Sequence, residues 1–314
     1  MISSNPPQTA KDIMATKLVT LSPETSALEA VARMLKSNIT GAPVVSSESD
    51  YIGVFSDRCC IRVLTDKMQS EGTAKRTELP RARDMMTTRL VTLKPDMDVF
   101  DAIALLLKAR ISGAPVVDEQ QRFLGVFSEK TSMAVLVTAV YDQLPSCRVE
   151  TFIDASLSRV IEEDKDFWPV ARMFLDTPYR RLPVVRDGTL VGQVSRRDVL
   201  NAASALHAPA RRVFSGWLGG TNAEPPGDSE RVAAYTDTSA RTIEEETDLL
   251  AMVQIFRETN FRRLPVLDGT KLTGQVSRRD ILNVINGMIS SSQSREKTLL
   301  YLSSLLDRQD APIQ

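Results

Sequence analysis

Short apolar stretches alternate with amphipathic segments along the chain, in an order that recurs four times. Residues 18–21 (Leu-Val-Thr-Leu) form a β-branched stretch that is typical of a strand. Apolar side chains then recur at helical spacing: Leu28, Val31, Met34 and Leu35. Two short apolar stretches and a second amphipathic segment follow, and in the third copy an Asp-Gly turn at 187–188 joins the two stretches. The pattern predicts a repeated strand-helix-strand-strand-helix unit.

Identical segments at fixed offsets define the units. Residues 41–45 (Gly-Ala-Pro-Val-Val) are repeated at 113–117, an offset of 72 (113 − 41). Residues 192–198 (Gly-Gln-Val-Ser-Arg-Arg-Asp) are repeated at 274–280, an offset of 82 (274 − 192). Units 1 and 2 and units 3 and 4 therefore read as two unlike pairs.

The repeats also predict the fold. A unit of about 60 residues buries little apolar surface alone, so we expect the units to pair. We predict an α/β (α+β) fold of four β-α-β-β-α units forming two paired modules, each with two small sheets flanked by helices. The predicted units are 11–70, 81–142, 147–206 and 232–290, with an irregular linker at 207–231 and a C-terminal helical tail at 291–314.

Composition and charge exclude several classes of function. The formal net charge of −1 gives no bulk attraction to nucleic acid or to a membrane surface. No apolar run approaches the roughly 20 residues that span a bilayer, and residues 1–10 lack the apolar core of a signal peptide. The cysteines show no zinc-ligand spacing, and a single histidine, His207, cannot supply a multi-histidine site. We expect a cytoplasmic protein without catalytic activity or a bound metal.

Two segments could carry binding chemistry. Residues 195–198 and 277–280 both read Ser-Arg-Arg-Asp, and each follows a strand and opens a helix, where free N–H groups suit an anion. A carboxylate can accept the vicinal hydroxyls of a ribose. Arginine pairs also stand before the strands at 180–181 and 262–263. The candidates are Arg180, Arg181, Ser195, Arg196, Arg197, Asp198, Arg262, Arg263, Ser277, Arg278, Arg279 and Asp280.

Two alternatives need no ligand. Ser-x-x-Asp at a helix start is also a capping box. The arginines could be dispersed on the surface or paired with acids. The acids considered are Glu162, Glu163, Glu244 and Glu245.

The first two units differ at these positions. They carry Asp57-Arg58 and Glu129-Lys130, so we expect each acid to offset the base beside it. They also lack the aspartates. The sequence therefore predicts much weaker anion binding by the first pair.

The order of these motifs resembles the CBS domain family over roughly residues 11–290. The resemblance is carried by four x-Pro-Val strands, four Gly-x-x-Ser segments and methionine-containing lead-ins at 13–14 and 85–86. It implies that the units pair as Bateman modules. Such modules often bind adenine nucleotides or related adenosyl ligands in clefts between paired sheets, and often dimerise as discs.

The resemblance also assigns roles to residues. The nucleotide motif Gly-x-x-Ser/Thr-x-x-Asp is complete at 192–198 and 274–280, where the aspartates are implied to hold ribose. The basic residues before the Leu-Pro-Val strands are implied to reach phosphates, and Arg262 and Arg263 could serve the site of Asp198. A first-strand threonine is a frequent contact, and Thr242 has that position in unit 4.

These observations predict a non-catalytic regulatory sensor that binds AMP, ADP, ATP or a related adenosyl ligand such as S-adenosylmethionine. The site would lie in the cleft of the second pair. We expect a homodimer that signals to an effector protein which the sequence does not identify, and no required cofactor. The alternative is a ligand-independent scaffold or oligomerisation protein with vestigial sites. Nucleic-acid binding through the arginines is disfavoured because the net charge is near zero.

Overall fold

The computed structural model describes residues 9–70, 79–141, 148–206 and 230–291. The predicted tail beyond residue 291 lies outside these residues, as do His207, Cys147 and most of the linker at 207–231.

Each unit contains an antiparallel strand pair between two helices, with short lead-in elements. Unit 1 has α1 (Ala10–Ile13), α2 (Ala27–Lys36), β1 (Gly41–Val45), β2 (Tyr51–Ser56) and α3 (Asp57–Ser70). Unit 2 has α4 (Ala82–Met85), α5 (Val99–Lys108), β3 (Gly113–Val117), β4 (Phe123–Ser128) and α6 (Glu129–Tyr141). Unit 3 has 3-10 turns at Val149–Phe152 and Leu157–Arg159, then β5 (Ile161–Glu162), α7 (Phe167–Asp176), β6 (Arg181–Arg186), β7 (Thr189–Ser195) and α8 (Arg196–Leu206). Unit 4 has α9 (Val232–Tyr235), β8 (Ile243–Glu244), α10 (Leu249–Glu258), β9 (Arg263–Asp268), β10 (Lys271–Ser277) and α11 (Arg278–Ser291).

The first strand of each unit is shorter than the sequence predicts. In units 3 and 4 it is the two-residue strand β5 or β8, parallel to β6 or β9. In units 1 and 2 it is a single parallel bridge, from Leu21 to Val44 and from Leu93 to Val116. Pro23 and Pro95 follow there and have no N–H to extend the ladder. Units 1 and 2 therefore have two-stranded sheets and units 3 and 4 three-stranded sheets.

The apolar helix faces form two cores, and each core is shared by units that are not consecutive. One core contains buried residues of units 1 and 3, such as Phe55, Leu64 and Phe174, and α3 packs on α8 there. The other contains residues of units 2 and 4, such as Phe127 and Phe256, and α6 packs on α10 there. Burial of these faces is the main source of stability.

Backbone bridges join the units in a different combination. Val54 in unit 1 and Asp237 in unit 4 exchange two N–H···O bonds of 2.9 Å. Val126 in unit 2 and Asp154 in unit 3 do the same at 3.0 and 2.9 Å. The strands thus join unit 1 to unit 4 and unit 2 to unit 3, while the helices join 1 to 3 and 2 to 4. The units are joined in pairs, as predicted, but the predicted pairing of unit 1 with unit 2 and of unit 3 with unit 4 is wrong. The lead-in segments cross instead between units 1 and 4 and between units 2 and 3.

The glycine of each Gly-x-x-Ser motif permits this crossing. A Cβ on Gly192 would lie 2.4 Å from the Sδ of Met86, and one on Gly274 would lie 2.4 Å from the Sδ of Met14. A Cβ on Gly53 would lie 2.6 Å from the backbone oxygen of Asp237. The motif therefore provides the close approach that joins two units, and in units 3 and 4 a lead-in methionine covers its glycine.

Replacing Gly53 by alanine should weaken the junction of units 1 and 4. Backbone at 2.6 Å cannot move away as a side chain can, so we expect a loss of about 1–3 kcal/mol in the free energy of unfolding, measured in urea. Gly287→Ala is the matched control, because Gly287 is an exposed position of helix α11 and nothing lies within 4 Å of its Cβ. The control should be neutral or stabilising. Equal midpoints for Gly53→Ala and wild type would contradict this account of the motif.

Candidate functional site

The two Ser-Arg-Arg-Asp segments form capping boxes at the starts of α8 and α11. The N–H and Oγ of Ser195 both donate to Oδ2 of Asp198 at 2.7 Å. The equivalent bonds from Ser277 to Asp280 are 2.7 and 2.6 Å. The ligand-independent reading of Ser-x-x-Asp is therefore realised in the structure. A ribose-binding role for these aspartates stays a prediction, since a cap residue can also face a ligand.

The first arginine of each segment is buried and bound within the protein. Nη1 of Arg196 donates to Oδ1 of Asp57 at 3.0 Å, and Nη2 donates to the carbonyl oxygens of Phe174 and Thr177. Arg278 makes the same carbonyl contacts, to the oxygens of Phe256 and Thr259. These carbonyls end α7 and α10, where the helix leaves them without partners and favours a cation.

Glu129 is a buried counter-charge for unit 4. It is 3% exposed, and its carboxylate accepts from Nε of Arg279 at 3.0 Å and lies 3.7 Å from Nε of Arg262. Asp57 and Glu129 hold the repeat position that Arg196 and Arg278 hold in the other two units. The expectation that these acids offset Arg58 and Lys130 is wrong. Opposite charges at one repeat position are the sequence signal for the contact between Asp57 and Arg196.

The second and pre-strand arginines reach from units 3 and 4 onto units 1 and 2. Nη1 of Arg181 donates to Oγ of Ser112 at 2.6 Å, and Nη1 of Arg263 donates to Oγ1 of Thr40 at 2.9 Å. Nη2 of Arg197 donates to the carbonyl oxygen of Ile39 at 2.8 Å. The recorded partners of these three arginines therefore do not include the acids considered from the sequence, which are Glu162, Glu163, Glu244 and Glu245.

A cavity of about 170 Å³ lies where units 2, 3 and 4 meet. It has six cationic side chains in its lining: Lys130, Arg159, Arg180, Arg181, Arg262 and Arg278. The lining carboxylates are Glu129 and Asp154. Neutral polar residues complete the wall: Ser112, Ser128, Thr131, Gln193 and Asn260. The cavity therefore carries a clear excess of positive charge.

Burial and mutual repulsion lower the pKa values of arginines in and beside this cavity. Burial lowers the pKa of Arg180 to about 9, repulsion by Arg262 adds to the effect, and Asp57 opposes it. Burial also lowers the pKa of Arg263 and of Arg278 to about 10. All three groups remain protonated at neutral pH. The lowered pKa values express a free-energy cost, first of burying these charges and then of holding them close together, which a bound anion would relieve.

The structure brings together only part of the predicted site. Arg180, Arg181, Arg262 and Arg278 line the cavity. Asp198 instead lines a separate groove of about 600 Å³ beside α4, and neither Thr242 nor Asp280 lines the cavity. Unit 2 supplies a large part of the wall, so this cavity is not confined to units 3 and 4, and the predicted nucleotide site in the second pair stays a prediction. Sequence reasoning missed Lys130, Arg159 and Tyr179, and no repeat-wide signal marks the last two.

Two kinds of feature are absent from the described ranges. None of their helices is long and apolar enough to cross a bilayer. Within the same ranges, no three His, Cys, Asp or Glu side chains are grouped so that they could hold a metal ion.

A scan against protein-family models matches the CBS domain at residues 10–66, 82–131, 158–205 and 232–287. These matches cover more than half of the sequence. The chain belongs to the CBS domain family. The resemblance noted from its motifs is confirmed, and so is the α/β fold of small sheets flanked by helices.

Several known proteins are similar to this CBS protein. The uncharacterised protein MJ1225 of Methanocaldococcus jannaschii is 24% identical over 283 residues, which are 85% of this chain and 94% of that protein. An A-adding tRNA nucleotidyltransferase of Aquifex aeolicus is 29% identical over 122 residues, which are 39% of this chain and only 14% of the enzyme. The crystal structure of CBSX2 of Arabidopsis thaliana in complex with AMP covers 40% of this chain and 97% of its own, with 31% identity and a TM-score of 0.36.

Removing the buried carboxylate of Asp57 should destabilise this CBS protein strongly. Asp57→Ala leaves Arg196 buried without its counter-ion, so we expect a loss of about 3–5 kcal/mol in the free energy of unfolding. Asp57→Ala/Arg196→Met should recover part of it, as measured by urea unfolding. Asp176→Ala, which breaks an exposed pair with Arg172, is the control and should change stability by less than about 0.5 kcal/mol. A loss from Asp57→Ala as small as the control's would refute the role of the buried pair.

Proposed function

We propose that this CBS protein is a non-catalytic regulatory sensor that binds an adenine nucleotide or a related adenosyl ligand, with the ligand's phosphates in the cavity between units 2, 3 and 4. The observation that carries the proposal is the excess of cationic over acidic side chains in that cavity. Arginine guanidinium groups match phosphate oxygens in geometry as well as in charge. Arg180 and Arg262, from the same position of two units, are the primary phosphate ligands.

The polar wall supports phosphate in particular. The hydroxyls of Ser112 and Ser128 line the cavity beside the arginines. Helix α6 also begins at this wall, and its N-terminus adds a partial positive charge. A cavity of about 170 Å³ is smaller than the roughly 300–1,000 Å³ of pockets that enclose whole small molecules. A volume of this size encloses only part of a nucleotide, so the remainder of the ligand extends out of the cavity between units 2 and 3.

The adenosyl class comes from the family. The AMP of the CBSX2 complex is a property of that protein, and for this chain it decides only which ligand is tested first. AMP, ADP, ATP and S-adenosylmethionine are the set to compare. Asp198, Asp280 and Thr242 keep their family roles as predictions, and so do homodimer formation and an effector protein.

Binding would be communicated through Glu129. This residue begins α6, the helix of unit 2 that packs on α10 of unit 4. A phosphate entering the cavity competes with Glu129 for Arg262, which lines it. Because that contact spans units 2 and 4, ligand binding would change how the two units are held, which a partner protein could detect.

Arg180→Gln and Arg262→Gln should each weaken nucleotide binding by about tenfold, because each removes a charge-assisted contact to phosphate. Isothermal titration calorimetry with AMP, ADP, ATP and S-adenosylmethionine measures the affinity. Ligand-induced rises in melting temperature provide an independent readout. Arg172→Gln, on an exposed helix position, is the matched control and should bind as wild type does. If none of these ligands binds the wild-type protein, the alternative of a ligand-independent scaffold is favoured.

Glu129→Gln should have opposite effects on affinity and on stability. Removing a negative charge from the cavity wall lowers repulsion of phosphate, so we expect affinity to rise about fivefold. The same change leaves Arg279 without its carboxylate, so the ligand-free protein should unfold at lower urea concentration. Calorimetry and urea unfolding on one preparation measure both effects. Weaker nucleotide binding by Glu129→Gln would show that the carboxylate does not compete with the ligand.

A further inference from the structure

Arg159 and Tyr179 form a stacked pair on the wall of the cavity. Cζ of Arg159 lies 4.6 Å from the centroid of the Tyr179 ring. Both residues line the cavity, and Tyr179 directly precedes Arg180 and Arg181 in the chain. A planar surface therefore adjoins the groups to which we assign the phosphates.

Hydrogen bonds fix the orientation of both members of the pair. The hydroxyl of Tyr179 lies 2.8 Å from Oγ of Ser158 and 3.2 Å from Oγ of Ser156. Nη1 of Arg159 donates to Oδ2 of Asp154 at 3.1 Å. Asp154 is itself fixed by its two backbone bonds to β4 of unit 2. A surface that is held in this way loses little conformational entropy when a ligand binds to it.

One hydrogen-bond donor of the pair is left without an acceptor among the described residues. The Nε–H of Arg159 is buried and has no acceptor in the part of the chain that the structure describes. Burial lowers the pKa of this guanidinium, and the nearby Asp154 only partly opposes the effect. The side chain of Gln193 lines the same cavity and offers both donors and acceptors, and Val126 adds an apolar contact.

We propose that the Arg159–Tyr179 pair is the base subsite of the ligand, on which the planar base of a nucleotide stacks while Gln193 meets the edge of the base. The proposal rests on the proposed function, since it assumes phosphates at Arg180 and Arg262. Aromatic rings and guanidinium planes are common stacking surfaces for bases. The arginines alone would bind inorganic polyphosphate as well, so this pair would make the site selective for nucleotides.

The repeats show that the pair is particular to unit 3. At the offset of 82 residues, unit 4 has Phe261 in place of Tyr179 and Ala240 in place of Ser158. Arg241, the counterpart of Arg159, is exposed. Unit 4 therefore lacks the hydroxyl and the serine that orient the ring. The comparison also gives a control, because Phe261→Leu removes a ring at the same repeat position.

The test compares ATP with inorganic tripolyphosphate, and AMP with inorganic phosphate, by calorimetry on wild type, Tyr179→Leu and Phe261→Leu. Stacking on an aromatic side chain contributes enough that Tyr179→Leu should weaken ATP and AMP binding by about fivefold or more. Its affinity for tripolyphosphate should stay within about twofold of wild type, since the arginines remain. Phe261→Leu should leave the affinity for ATP within about twofold of wild type.

The possible outcomes separate this inference from the proposed function. Selective weakening of the nucleotides by Tyr179→Leu supports both. If Tyr179→Leu weakens nucleotide and tripolyphosphate binding equally, or weakens neither, the base subsite is overturned and phosphate binding stands. If wild type binds none of the four probes, both are overturned. Photocrosslinking of 8-azido-ATP to the wild-type protein tests the same contact without a variant. Label on peptides that contain Tyr179 or Arg159 supports the subsite, and label only on other peptides overturns it.

Discussion

The arrangement of the four units depends on two buried carboxylates that face a larger number of arginines. Asp57 holds Arg196 between units 1 and 3, and Glu129 holds Arg279 between units 2 and 4. The acids and the arginines that begin α8 and α11 occupy the same position of the repeat. Packing unit 3 on unit 4 through these helices would therefore bring two buried arginines together without a counter-charge. This electrostatic penalty disfavours helix packing between units 3 and 4 and favours the observed packing of unit 3 on unit 1 and of unit 4 on unit 2.

The same imbalance creates the candidate site. Two carboxylates cannot neutralise all the arginines that units 3 and 4 contribute. The arginines left without a carboxylate lie around one cavity. The lowered pKa of Arg180 arises from burial and from repulsion by its neighbours, so the charge is costly unless an anion enters. The arginines that hold the units together and those that line the cavity thus lie close to one another. Binding of an anion in the cavity would therefore also affect how the units are held together.

The sequence predicts the units well and their partners poorly. Exact repeats and helical spacing identify four units and their buried faces, because these signals are local. Every unit presents a similar apolar face, so hydrophobicity does not choose among partners. Adjacency in the sequence favours a pairing of Asp57 with Arg58, yet neighbours on a helix point in different directions. Arg159 and Tyr179 are separated by a strand and a helix, so no periodic signal links them.

The side chains proposed to meet the ligand also hold units 2 and 4 together. Glu129 already supplies an anion to Arg262 and Arg279, and it does so from the first residue of a helix that packs on unit 4. A phosphate that binds Arg262 in place of Glu129 could be detected without movement of a whole unit. It only has to weaken one buried contact at the junction of two units, where low local dielectric makes each charge pair matter more than it would at the surface. The ion-pair network itself would then respond to the ligand. The four-unit arrangement would transmit a change in these ion pairs to distant parts of the protein.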